Sequence, residues 1–268
     1  MTENPLVSIV TPIWNGSEFV ASLVRSSKRQ TLSNFEHLIV DDGSTDGTPS
    51  RIRDATGDDG RYQVIENSDR AGPAVCRNIA IARARGRFLA FLDADDEWLP
   101  RKLELQSSFM QRTGGLFSFH SYRHMSDDGK RLGAIIHPPR TIRLPDMYRC
   151  RTIGCLTVMI DRASCPWFEF PVSRGEFPED LLAWISVLKR VEQGMGIQDD
   201  LARYRLARHG RSARKIGASR AVWRCYREVE GLGLVRAVAE FMRYGVATTL
   251  KHIRSLPRFD RLTLDGKL

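Results

Sequence analysis

The sequence predicts an α/β fold: a mostly parallel sheet flanked by helices, followed by a basic helical tail. Three observations carry this prediction. Short apolar strands alternate with helical segments over the first hundred residues, the pattern of a parallel sheet with crossover helices. One of them, Phe88 to Leu92, has five consecutive apolar residues, so both of its faces are buried. Acidic clusters follow two of these strands, and ligands gather at such strand ends in α/β sheets.

The elements follow in order. Leu6 to Pro12 is a β-branched strand, and Ser17 to Lys28 reads as a helix. Phe35 to Val40 is a second strand ending in DDGSTDGT (41–48), where Asp, Gly, Ser and Thr make a turn that caps a helix near Pro49 to Asp54. Tyr62 to Glu66 is a short third strand. Gly72-Pro73 opens a helix that Gly86 closes, and the Phe88–Leu92 strand follows. After a helix from Lys102 to Gln111, strands are expected at 116–123 and 131–136, joined by the hairpin Ser126-Asp127-Asp128-Gly129. Cys155 to Ile160 is expected as another buried strand. A Pro-, Gly- and Phe-rich loop (166–180) precedes a helix from about Leu181 to Glu192, and Asp199-Asp200 is expected in a solvated turn. A soft boundary near Gly217 divides residues 1–216, with halves of about 1–100 and 101–216, from a 217–268 appendage.

The 268 residues carry 41 Lys and Arg against 32 Asp and Glu, a net charge of +9. The surplus is local: residues 201–268 hold 16 basic and 5 acidic residues, so residues 1–200 are slightly acidic. A tail of this kind favours an anionic partner such as a membrane surface, a pyrophosphate-bearing lipid or nucleic acid. Specific nucleic-acid binding is disfavoured, because the charge is confined to the tail and an acidic cluster repels a phosphate backbone. Five cysteines without C-x-x-C spacing argue against a disulfide framework or a zinc site and fit a reducing cytoplasm. Neither a signal peptide nor an apolar run of about 18 residues is visible, so a cytoplasmic chain with at most peripheral membrane contact is expected.

Asp93, Asp95 and Asp96 repel one another unless a cation sits among them, and their oxygens suit Mg2+ or Mn2+ carrying a phosphate-bearing substrate. The plainer alternative is an acidic turn with Asp96 as a helix cap. Asp42 could accept hydrogen bonds from a base or ribose, and Trp14 could stack on a base, although a rim tryptophan is common. Arg77 either neutralises a pyrophosphate or is a solvated helix residue. Asp46 is taken as an ordinary turn residue. Asp180 starts a helix, where carboxylates are favoured anyway, and is a general base only if the fold brings it to the acidic cluster. His209 could approach a metal but lies in a basic loop.

The ordered segments VSIVTPIWNG, HLIVDDGSTDGT, AGPAVCRNIAIARARGRFLAFLDADDEWLPRKL and FPEDLLAWISVL resemble the family-2 glycosyltransferases of GT-A fold, over roughly residues 5 to 210. The resemblance implies an inverting transferase of bacterial glycan assembly. It further implies that Thr11, Pro12, Trp14, Asp42, Arg77, Asp93 and Ala94 hold a nucleotide-sugar donor, with a UDP-sugar as the usual carrier. By the same resemblance, Asp93-Ala94-Asp95 is the D-x-D motif with Asp95 on Mn2+ or Mg2+, Asp180 is the catalytic base, and residues 204–212, with His209 as a further metal ligand, form a loop over the diphosphate. Trp14 departs from the tyrosine usual there. No Q-x-x-R-W motif is present, so the addition of a single sugar to a glycan or polyprenyl-diphosphate-linked acceptor is expected, not polymerisation. A nucleotidyltransferase is the alternative, but it calls for a Gly-rich phosphate loop that TPIWNG does not resemble.

In the tail, Leu232, Val235, Ala239, Met242, Val246, Leu250 and Ile253 recur at spacings of three and four, one apolar face of a helix. That face either packs on the catalytic domain or lies on anionic lipid.

Overall fold

The computed structural model describes residues 4–150, 152–173, 177–206, 215–255 and 260–261, and within them the side chains of all but 215–218, 247–255 and 260–261. In chain order the elements are β1 (Val7–Ile13), α1 (Val20–Lys28), β2 (Phe35–Asp41), α2 (Thr48–Thr56), β3 (Tyr62–Glu66), α3 (Pro73–Arg83), β4 (Phe88–Phe91), β5 (Glu97–Trp98) and α4 (Lys102–Thr113). There follow β6 (Phe117–Ser126), β7 (Arg131–Ile136), β8 (Thr141–Ile142), α5 (Leu144–Met147), β9 (Met159–Asp161), α6 (Glu179–Leu188), β10 (Gly194–Leu206), α7 (Lys215–Arg224), α8 (Leu234–Ser255) and β11 (Asp260–Arg261).

One sheet runs β11-β7-β6-β9-β4-β1-β2-β3, with β10 parallel to β6. Strands β3, β2, β1 and β4 are mutually parallel, and β9 joins β4 antiparallel. The chain winds outward from β1 to β2 and β3, then returns to place β4 on the other flank of β1. This is a topological switch point, and in open α/β sheets the ligand crevice lies there, at the carboxyl ends of the strands. Val7, Ile9, Val10, Phe88, Leu89, Ala90 and Phe91 are wholly buried, as strands covered on both faces must be. Gly86 lets β4 start against β1: a Cβ there would meet the Ser8 backbone nitrogen at 2.6 Å.

The sequence expectations for the first hundred residues match these elements within a few positions. Three later expectations are corrected. Cys155–Thr157 is a 3-10 turn, closed by the Thr157 N–H and hydroxyl, which donate to the Gly154 carbonyl at 2.9 and 2.7 Å, and the strand begins only at Met159. Asp199 and Asp200 lie not in a solvated turn but within the thirteen-residue β10, where the register shifts either side of Asp200. The bulge turns the Asp200 carboxylate onto Arg123 at 2.9 Å and Arg203 at 2.6 Å. Residues 204–206, expected in a loop, end the same strand.

The C-terminal helices share the main core. Val222, Cys225, Tyr226, Leu232 and Ala237 are buried in one cluster with Phe91, Phe117 and Trp184. Among the described residues no helix is long and apolar enough to cross a membrane.

Candidate active site

The crevice wall at β1 and β2 is built from paired turns. Asn15, with φ of +45°, donates its N–H to the Ser44 hydroxyl at 2.8 Å and accepts the Thr45 N–H at 2.9 Å. The Ser17 N–H reaches Asp46 at 3.0 Å, and Asp46 also accepts the Thr48 N–H and hydroxyl, so it is a turn residue as expected. Burial raises the Asp46 pKa, but these bonds together outweigh it and hold the carboxyl down at about 2. Trp14 emerges beside this turn, 44 % exposed, with the Arg70 guanidinium 3.5 Å from its ring centroid. Pro12 is half-buried behind it. The Thr11 side chain is fully buried; its hydroxyl donates to the Leu92 carbonyl at 2.7 Å and meets His37 Nε2 at 2.8 Å, so it ties β1 to the residue that follows β4.

Asp42 is buried, and its two carboxylate oxygens accept the Ala71 and Gly72 N–H groups, each at 2.8 Å. Burial raises its pKa, but these bonds, with Cys76 and Asn67, win and hold the carboxyl below its ordinary value. Gly72, at φ of +91°, turns the chain so that both N–H groups converge on one carboxylate. Asp42 thereby fixes the loop carrying Arg70 and the start of α3.

The floor is Arg77. It is a buried residue, not a solvated one: its guanidinium lies 2.5 Å from Asp93 and 4.0 Å from Glu179, with the face of Phe170 at 5.1 Å. Burial alone would lower its pKa, yet the Asp93 and Asp180 charges raise it, so the guanidinium stays charged. Residues 77, 93 and 179, distant in sequence, therefore meet, and Asp180 follows Glu179 in the first turn of α6. Asp93 and Ala94 are half-buried there, at the end of β4.

An aromatic cluster brings α6 to that point. Trp184 of α6 packs against Phe91 of β4 at 6.0 Å, against Phe117 at 5.6 Å and Phe168 at 6.3 Å in stacked geometry, and against Phe170 at 5.7 Å. Asn78, beside Arg77 on α3, clamps Phe170 from both sides of its backbone, donating to its carbonyl at 2.8 Å and accepting its N–H at 2.7 Å. Asp180 sits in the first turn of α6 and so takes its place from this packing. Sequence reasoning missed Asn78 and Trp184, because nothing local distinguishes a positioning residue from ordinary helix and core chemistry.

Arg205, also missed, organises the acidic loop. Its N–H donates to Asp96 at 2.9 Å, its Nε to the Asp95 carbonyl at 2.8 Å, and its remaining nitrogens to the Asp127 carbonyl and to Glu97 at 3.1 Å. Asp96 is buried and does not cap α4, which begins six residues later. Burial foremost, then the charges of Asp95 and Asp93, push its carboxyl well above the usual range against the pull of Arg205. Among the described residues no three metal-ligating side chains converge, and His209 lies outside them. A hard cation at half-buried Asp95 would complete its shell with phosphate oxygens and water, the ordinary condition of Mg2+ or Mn2+ on nucleotides.

Comparison with known proteins agrees with this architecture. The family model for glycosyl transferase family 2 matches residues 8–170. Over 249 residues the chain is 38 % identical to TuaG of Bacillus subtilis strain 168, a glycosyltransferase named for teichuronic acid biosynthesis, covering 93 % of this chain and 98 % of that protein. It is 32 % identical over 219 residues to WfgD of Escherichia coli, a UDP-Glc:alpha-D-GlcNAc-diphosphoundecaprenol beta-1,3-glucosyltransferase, covering 81 % and 84 % respectively. Two solved structures share the fold. TarS residues 1–349 of S. aureus with UDP-GlcNAc superposes with a TM-score of 0.71 at 17 % identity, over 91 % of this chain and 72 % of that one. The mannosyltransferase PcManGT of Pyrobaculum calidifontis with GDP-Man and Mn2+ gives 0.64 at 16 % identity, over 100 % and 77 %. With the switch-point crevice, the D-x-D loop and these matches together, the chain belongs to glycosyl transferase family 2 and has the GT-A fold.

Proposed function

We propose that this glycosyltransferase moves one sugar from a UDP-sugar to a hydroxyl of a polyprenyl-diphosphate-linked glycan in cell-surface polysaccharide assembly, with inversion at the anomeric carbon. The observation that supports the reading is the buried Arg77 held between Asp93 of the D-x-D loop and Glu179, the neighbour of Asp180 in the first turn of α6. Donor and acceptor are inferred from the relative that uses UDP-Glc and a diphosphoundecaprenol acceptor.

In this reading Trp14 offers a ring face to the base, Asp93 and Ala94 border the donor, and Asp180 takes the proton of the acceptor hydroxyl. The oxygen so freed attacks the anomeric carbon from the side opposite the diphosphate. A new C–O bond forms as the bond to phosphate breaks, and the nucleoside diphosphate leaves with the electron pair. One carboxylate base suffices for a single displacement, which inverts the centre. Asp95 would hold the divalent cation, which when bound supplies positive charge against the diphosphate. Asp42 acts as a positioning residue, because both its oxygens already accept backbone N–H groups, and Arg77 orients Asp93 through their ion pair.

The test is calorimetric titration with UDP, GDP, dTDP and CMP, each with and without Mn2+, on the wild type, Asp95→Ala and Asp180→Asn. UDP binding that needs Mn2+ and is lost in Asp95→Ala is expected. Asp180→Asn should keep donor binding and lose about 10²- to 10⁴-fold in transfer. Full turnover in Asp180→Asn would exclude it as the base, and metal-independent binding would remove the cation from the scheme.

A further inference from the structure

Helix α8 carries two opposed apolar faces, and only one of them is used. Ala237 and Glu240 are buried against the domain, with Phe241 and Tyr244 alongside; Phe241 packs on Trp223 at 5.4 Å. On the other side Val235 (86 % exposed), Val238 (45 %), Met242 (65 %) and Val246 (59 %) face outward, flanked by Leu234. Their spacings of three, four and four residues align them as one stripe along the helix. No described residue covers it, and a contiguous exposed apolar stripe of this kind marks an interaction surface. Beyond Val246 the helix continues and the sequence keeps the spacing with Leu250 and Ile253. The expectation of a single apolar face packed on the domain or on lipid is therefore resolved into two faces, with different residues doing the packing.

We infer that this stripe seats in the headgroup region of an anionic membrane leaflet, with α8 lying in the plane of the surface. The occupant follows from charge. Arg236 and Arg243 lie beside the stripe, Lys251 and Arg254 follow in the helical sequence, and residues 201–268 hold 16 basic residues against 5 acidic ones. A second copy of the chain on the same face would bring two cationic helices together. An anionic headgroup layer attracts those charges while the acyl boundary takes the valines and Met242. The inference goes beyond the proposed reaction and does not rest on it.

The experiment is co-sedimentation of the full chain with vesicles of pure phosphatidylcholine and with vesicles containing an equal part of phosphatidylglycerol. Binding should favour the anionic vesicles by about tenfold or more and weaken as salt rises. The double variant Val235→Asp/Met242→Asp should lose about tenfold or more of that binding at an unchanged melting temperature, since both positions are exposed. Arg236→Gln/Arg243→Gln should weaken the anionic preference and keep the apolar binding. Wild-type binding in the double aspartate variant, or equal binding to both vesicles, would overturn the inference. So would a dimer in sedimentation velocity that the aspartates dissociate, with no vesicle binding, because the face would then belong to a second copy.

Discussion

Arg77→Met removes the cation on which the acidic floor of the crevice depends. The Arg77 side chain is 7 % exposed and sits 2.5 Å from Asp93, which is 30 % exposed, and 4.0 Å from Glu179, which is 11 % exposed. Removing one partner of a buried pair typically costs about 3–5 kcal/mol, since the remaining charge is left uncompensated. Solvent reaches part of Asp93, so the cost here is about 2–3 kcal/mol. For a domain of this size that lowers the melting temperature by roughly 5–10 °C. Most of the loss comes from stranded negative charge, so Asp93→Asn in the Arg77→Met background should restore about 1–2 kcal/mol. The assay is a double-mutant cycle in urea with Arg77→Met, Asp93→Asn and the pair. If the two single costs add within about 0.5 kcal/mol, the residues are not coupled and the account of the crevice floor is wrong.

Three further outcomes are expected. Asn78→Ala leaves the Phe170 backbone N–H and carbonyl without their partner, at about 1–3 kcal/mol in urea unfolding, and should lower kcat more than donor affinity because it loosens the packing behind Asp180. Asp46 has a folded pKa of about 2 against an ordinary 3.8, so its contribution is complete above about pH 4 and is lost as pH falls through 2; after discounting for its exposure this is about 1 kcal/mol, and Asp46→Asn should differ from wild type at pH 6 but not at pH 2. Truncation after residue 216 should give an unstable or aggregating chain, because it strips Tyr226 and its neighbours from the shared core; a soluble fragment with the wild-type melting temperature would contradict that core.

The parallel half of the sheet was legible because its strands are continuous apolar runs and its turns are rich in Gly, Asp and Ser. The D-x-D loop was legible for the same local reason: three carboxylates in four residues demand an explanation. Arg77 was not, since a helix residue before Asn78 reads equally well as solvated, and only the approach of Asp93 and Glu179 separates the two. β10 was hidden by its own chemistry. GMGIQDDLARYRL opens with two glycines and carries an Asp pair, both turn signals, and it is a strand because β6 lies alongside and Arg123 and Arg203 neutralise Asp200. The 3-10 turn at Cys155 was equally opaque, because the one polar residue of CLTVMI is a β-branched Thr that suits a strand, and the bend is made by its hydrogen bonds to Gly154.

The tail is an extension of the core, and it reaches the element that bears Asp180. Lys189, at the end of α6, pairs with Glu230 at 2.9 Å, and Glu230 accepts the Tyr148 hydroxyl at 3.0 Å from the far side. Tyr226 donates its hydroxyl to the Tyr148 carbonyl, and the two rings meet edge-on at 5.7 Å. The Glu230 side chain is 4 % exposed, so the ion pair gains from a partly desolvated setting that a surface pair would lack. The middle of α6 is therefore held by Trp184 against β4, and its C-terminal end by the segment that leads into α8. A load on the exposed stripe of α8 would be borne by the same hydrogen bonds and aromatic contacts that hold α6, so the outward-facing helix and the helix that carries Asp180 share one support.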